Sequence, residues 1–97
     1  MFDQRANRRF PLRLPFKVVR NTLEFEGETH NLSSRGVAFT ITTKLEVGEP
    51  IEYVITLLGD DRSGSAVRLR CTGKTLRNDQ SACAATLERY EFVREHA

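Results

Sequence analysis

The chain is poor in the residues from which disulfide frameworks, metal sites and membrane anchors are built. It has 97 residues, no tryptophan and two cysteines, Cys71 and Cys83, which make no disulfide framework and stand at no metal-ligand spacing. No apolar run approaches the ~18 residues of a membrane span, and no apolar segment follows the charged N-terminus as in a secretory signal. We therefore expect a cytoplasmic domain with no membrane span and no metal.

Catalytic groups are equally scarce. The two histidines, His30 and His96, belong to no recognisable Ser-His-acid or Cys-His arrangement, and no carboxylate pair stands in a catalytic context. The sequence therefore predicts no catalytic residue, no cofactor and a protein that is not an enzyme.

Basic residues are abundant near the N-terminus. The formal net charge is +2, and a hydrophobic content of 39% with 29% charged residues is ordinary for a globular domain. Residues 5–20 nevertheless carry six basic residues and no acidic one, which leaves a net −4 on the rest of the chain. The six are Arg5, Arg8, Arg9, Arg13, Lys17 and Arg20. This asymmetry indicates an anionic partner met at one end of the chain.

The rest of the chain has the pattern of short strands. Apolar residues alternate with others over Val37–Thr42, over Ile51–Leu57 and again over Val67–Thr72. After Gly73 the apolar phase shifts to Leu76, which predicts a bulge at the glycine. Close turn signals between the strands and little sign of helix predict an all-β fold, a small antiparallel barrel or sandwich.

The sequence predicts that the chain consists of an N-terminal arm and a folded body. Residues 1–13 form an arm that is not regularly helical throughout, because Pro11 and Pro15 remove backbone donors. The arm is expected to be flexible without a ligand, since it buries too little to offset an ordering cost of about 1–2 kcal/mol per residue. Residues 14–97 form the folded body, in which Glu88–Glu95 is either a strand end or one short helical turn.

Two clusters carry the candidate binding residues. The first runs from Arg8 through Arg9 to Arg13; in extended chain the last two lie on one side about 13 Å apart. Guanidinium groups suit phosphate and the edge of guanine, although such a cluster is also compatible with a solvated basic tail. The second is Asn31-Leu32-Ser33-Ser34-Arg35-Gly36, directly before a predicted strand. Its short polar side chains and its glycine fit either a plain turn or a ligand contact.

Together the clusters resemble the two signature motifs of PilZ domains. Arg9 and Arg13 fit an R-x-x-x-R segment, and Asn31, Ser33 and Gly36 fit a [D/N]-x-S-x-x-G segment, in the family's order and with 17 residues between them. The resemblance implies a six-stranded antiparallel barrel that binds cyclic di-GMP. The arginines would contact phosphates and guanine edges, Asn31 and Ser33 would hold a guanine, and Gly36 would leave room.

Three details refine what the resemblance implies. Arg8, directly before the first motif, is associated in this family with two stacked, intercalated ligand molecules. Asn31 stands where aspartate is common, and an amide lacks the charge-assisted bond to guanine, so affinity would be lower. Many relatives also continue into a helix after the barrel, whereas only Tyr90–Ala97 follows here.

The predicted function is that of a cyclic di-GMP receptor that signals to a downstream protein when its arm becomes ordered. Two alternatives remain open at this point. One is a small barrel that binds single-stranded nucleic acid through a basic arm, which an acidic body and the lack of an aromatic platform make less favoured. The other is a PilZ-like adaptor that has lost its ligand.

Overall fold

The computed structural model describes residues 12–60, 65–79 and 82–96, and these residues are arranged entirely in strands and turns. Within them there is no helix that could cross a membrane. The seven strands are β1 (Pro15–Arg20), β2 (Leu23–Leu32), β3 (Gly36–Ile41), β4 (Pro50–Asp60), β5 (Ser65–Asp79), β6 (Ala82–Thr86) and β7 (Arg89–His96).

Six of the strands close into a barrel. Antiparallel neighbours follow the order β4-β1-β2-β3-β6-β5, and pairing of β4 with β5 closes the circle. The long β5 reaches past the barrel: its Thr75–Asp79 end pairs with β6, whereas Ser65–Thr72 pairs with β7. The predicted six-stranded antiparallel barrel is confirmed. The C-terminal segment takes the strand alternative, because β5 offers it a free edge to pair with.

The alternating apolar residues of the strands fill the barrel. Phe16 of β1 stacks on Phe39 of β3 with ring centroids 4.3 Å apart, and it lies 5.4 Å from the ring of Tyr53 in β4. Cys71 and Cys83 are free and buried in the same core. Burial raises the pKa of the Cys71 thiol to about 12, so this side chain behaves as a small apolar filler.

The predicted bulge at Gly73 is wrong in position. Gly73 is buried and stays in register with Ile51 of β4, and the shift in pairing occurs later, between Thr75 and Arg77. Leu76 is therefore 58% exposed and does not enter the core. The glycine serves another purpose, because a Cβ there would overlap the backbone of β6 at Thr86. Both a bulge and a close approach favour glycine, so sequence alone does not separate them.

Candidate ligand-binding site

Arg13, the second arginine of the first motif, lies two residues before β1 and faces solvent. Its side chain is 77% exposed, and its guanidinium lies 3.5 Å from the Glu28 carboxylate on the neighbouring strand β2. An ion pair this exposed contributes little to stability. Arg13 is therefore held near β2 but remains available to exchange Glu28 for a stronger anion.

The backbone on both sides of Arg13 is fixed by one buried residue of β2, Thr29. The Thr29 hydroxyl donates to the carbonyl of Leu12 at 2.6 Å and accepts the N–H of Leu14 at 2.9 Å. The Thr29 N–H also donates to the Leu14 carbonyl at 3.0 Å. Thr29 is completely buried, so these bonds are shielded from water. Leu12 and Arg13, assigned to the arm from the sequence, are thus already joined to the barrel.

A bulge in β2 orients Asn31, the first residue of the second motif. Thr29 pairs with the buried Phe39, and Asn31 pairs with Ala38, so His30 is an extra residue in the ladder. Directly opposed residues share a face of the sheet. Because Ala38 alternates with the buried Val37 and Phe39, Asn31 lies on the outer face of the barrel. Without the bulge, Asn31 would share the inward face of Thr29.

Ser33 is turned into the loop that links β2 to β3. Its hydroxyl accepts the N–H groups of Arg35 and Gly36, both at 3.2 Å, and donates to the Gly36 carbonyl at 3.3 Å. Its N–H also donates to the Gly36 carbonyl at 2.9 Å. One donor and two acceptors are the whole capacity of a hydroxyl, so Ser33 fixes the turn. Its predicted contact with a guanine stays a prediction, and it requires that one of these bonds be exchanged.

Close packing within the barrel explains why residue 36 is a glycine. A Cβ on this residue would lie 2.7 Å from the carbonyl oxygen of Ala85 in β6, closer than real contacts allow. Its backbone does not adopt a positive φ, so the reason is close approach. The prediction that Gly36 leaves room for a ligand is not tested by this geometry.

Gly36→Ala is expected to lower the free energy of unfolding by about 1–3 kcal/mol, because the new methyl pushes β3 away from β6. Denaturant unfolding without ligand measures this change, and Arg35→Ala in the same exposed turn serves as the control with little expected effect. An unchanged unfolding free energy in Gly36→Ala would leave clearance for a ligand as the reason for the glycine.

Besides Arg13, two more of the basic residues near the N-terminus have acidic partners within the described part of the chain. The Lys17 amino group lies 3.2 Å from the Glu24 carboxylate. Arg20 binds the Glu49 carboxylate at 2.8 Å, and the backbone N–H of Glu46 together with Arg20 lowers the pKa of Glu49. The side chains of Lys17 and Arg20 are 32% and 33% exposed, against 77% for Arg13, so Arg13 is the most accessible of these three cations to a ligand.

Four of the six predicted site residues lie along β2 or in the turn that follows it. Thr29 holds the backbone on both sides of Arg13, Asn31 follows two residues along the strand, and the turn of Ser33 and Gly36 continues from it. Arg8 and Arg9 lie outside the described residues. Neither Glu28 nor Thr29 was predictable as part of the site, because their contacts with Arg13 and its two neighbours appear only when β1 and β2 are aligned.

A separate groove crosses the outer face of β1, β4, β5 and β7. Its volume is about 730 Å³, and charged side chains of both signs line it, among them Lys17, Arg70 and Glu91. None of Arg13, Asn31, Ser33 and Gly36 lines this groove. The motif residues therefore lie outside this groove, and the shape of the surface alone does not identify them.

Comparison with known proteins identifies the family and the fold of the chain. The PilZ domain family profile matches residues 3–92, a stretch that contains both motifs. The structure of Bacillus subtilis Inhibitor of motility (MotI/DgrA) superimposes with a TM-score of 0.70 at 15% identity. That alignment covers 93% of this chain and 44% of the Bacillus chain, and at this identity it shows a shared fold. No curated protein sequence matches the chain. The chain belongs to the PilZ domain family.

Proposed function

We propose that this domain is a cytoplasmic receptor for cyclic di-GMP and that it catalyses no reaction. The observation that carries the proposal is that Arg13 of the first motif and Asn31 of the second both lie along β2. Arg13 offers a charged fork suited to a phosphate, and Asn31 offers an amide donor and acceptor suited to a guanine edge. The bonds of the buried Thr29 fix the backbone on both sides of Arg13, and the bulge in the same strand turns Asn31 to the outer face.

Binding exchanges one anion for another at Arg13. The Glu28 carboxylate is 51% exposed and 3.5 Å from the guanidinium, so a phosphate replaces it with little loss of stability. Ser33 and Gly36 contribute by holding the turn next to Asn31. Arg8 and Arg9 carry the remaining cationic contacts in this proposal, which for them rests on the sequence motif alone.

The signal in this proposal comes from the arm. Thr29 already anchors Leu12, so ligand-dependent ordering concerns residues 5–11, whose arginines repel one another until phosphates neutralise them. Ordering of this segment over the ligand would create the surface that a downstream protein binds. Backbone amide relaxation of residues 5–10 with and without ligand measures the change, since Pro11 has no amide N–H.

Isothermal titration calorimetry tests the ligand assignment. Cyclic di-GMP is expected to bind at micromolar concentration or better, whereas GMP, cyclic AMP and a short single-stranded RNA bind much more weakly. Affinity for RNA that equals that for the dinucleotide, grows with RNA length and falls steeply with salt would identify a nucleic-acid binder instead. If none of these four ligands bound, the adaptor that has lost its ligand would be the favoured alternative.

Arg8 sets the stoichiometry in this proposal. Wild-type protein is expected to bind cyclic di-GMP as an intercalated pair, and Arg8→Ala is expected to bind a single molecule, because the stacked second copy loses its cationic partner. Calorimetric stoichiometry at protein concentrations well above the dissociation constant measures the difference. One ligand per chain in both proteins would exclude the paired mode.

A further inference from the structure

Strand β7 has one paired edge and one open edge. Its residues pair with β5 from Thr72↔Arg89 to Ser65↔His96, and no other described strand lies beside it. The open edge is a row of backbone N–H and carbonyl groups with no strand partner in the described part of the chain. Such an edge is a template for pairing with another strand.

The same strand carries two exposed aromatic side chains. Tyr90 is 60% exposed and Phe92 is 66% exposed, and their rings pack edge to face with centroids 6.0 Å apart. They stand opposite the buried Cys71 and Leu69 of β5, so they belong to the inner face of the sheet. β6 pairs with β5 only at its far end, so β7 extends beyond the closed barrel and its aromatic face lies open.

We infer that β7 pairs antiparallel with β7 of a second copy of this chain, forming a symmetric dimer through a continuous sheet. The two-fold axis of such a pair is perpendicular to the sheet, so opposed residues must share a face. Only registers centred on a residue meet this condition, and the strand offers few of them.

The register centred on Phe92 is the one that the side chains favour. It places Phe92 opposite Phe92 of the second copy and Tyr90 opposite Arg94, twice by symmetry. Arg94 is exposed, and a guanidinium beside a tyrosine ring forms a favourable cation–π contact. On the other face Glu91 stands opposite Val93, so no like charges meet.

Neighbouring registers are worse. A pair centred on Glu91 sets two carboxylates opposite each other, which is destabilising. A pair centred on Val93 sets Phe92 opposite Arg94 and loses the contact between the two phenylalanines. Of these three registers, the one centred on Phe92 is the most favourable, and this complementarity of β7 to its own reversed copy identifies a second copy as the partner.

Sedimentation velocity over a wide range of concentration, without cyclic di-GMP, tests the dimer independently of the proposed function. Wild-type protein is expected to shift from monomer to dimer with increasing concentration. Phe92→Glu is expected to raise the dissociation constant about tenfold or more, because two carboxylates then face each other at the axis. Leu76→Glu, at a similarly exposed leucine of β5, should dimerise like wild type.

A charge exchange tests the register. Tyr90→Lys alone places lysine opposite Arg94 of the other copy and is expected to weaken the dimer; adding Arg94→Glu restores it by pairing opposite charges. Within one chain the β5 partners of these positions are the uncharged Cys71 and Val67, so the exchange acts between copies. Circular dichroism checks that each variant is folded. A wild-type monomer at all concentrations, or no recovery in the double variant, would overturn the inference.

Discussion

Replacing Arg13 with alanine is expected to weaken cyclic di-GMP binding about ten- to hundredfold, the loss of one hydrogen bond to a charged phosphate. The unfolding midpoint of the free protein should change little, because Arg13 is 77% exposed and its one described ion pair is the weak one to Glu28. Calorimetry and thermal unfolding of the same variant measure the two effects. Arg9→Ala is expected to behave alike, although Arg9 lies outside the described residues.

Arg70→Ala is the matched control for Arg13→Ala. Arg70 is also exposed and also has a loose ion pair, 3.9 Å from Glu91, but it lies on β5 in the separate groove. Both variants remove one positive charge, so equal losses of affinity would show that net charge alone attracts the ligand. A large fall in the unfolding midpoint of Arg13→Ala with binding intact would assign Arg13 a structural role.

The barrel was predictable because its core residues alternate. Val37 and Phe39 are spaced for one face of a strand, and both are buried in β3. The close contacts between strands that shape the barrel were harder to predict, because they depend on where the strands approach each other in space. Gly73 was predicted to mark a bulge, whereas it allows the backbone of β6 to approach closely. The bulge of β5 lies at Leu76 instead, where no glycine or other typical bulge residue indicates it.

The candidate site was also predictable only in part. The motif spacing identified Asn31, Ser33 and Gly36 and predicted a turn, which the structure has at that position. No sequence feature predicted the bulge at His30, because the neighbouring polar residues of β2 fit either face of a strand. Asn31 nevertheless depends on it, because a one-residue shift reverses the face on which a side chain lies.

Thr29→Val is expected to lower the free energy of unfolding by about 1–3 kcal/mol, although valine has almost the same shape as threonine. The substitution removes the hydroxyl that joins Leu12 and Leu14 to β2 and leaves the Leu14 N–H without that acceptor. Affinity for cyclic di-GMP should fall as well, because the backbone on both sides of Arg13 is no longer fixed. Denaturant unfolding and calorimetry measure the two quantities.

Thr75→Val provides the comparison that isolates the hydrogen bonds. Thr29 and Thr75 are both buried in strands, but the Thr75 hydroxyl has no hydrogen-bond partner among the described residues. Exchanging an unpaired buried hydroxyl for a methyl group is expected to leave stability unchanged or raise it, with no effect on ligand affinity. Thr29→Ser keeps the hydroxyl and should recover most of the affinity lost in Thr29→Val. If Thr29→Val and Thr75→Val changed stability and affinity equally, Thr29 would be an ordinary core residue, and the position of Arg13 would not depend on it.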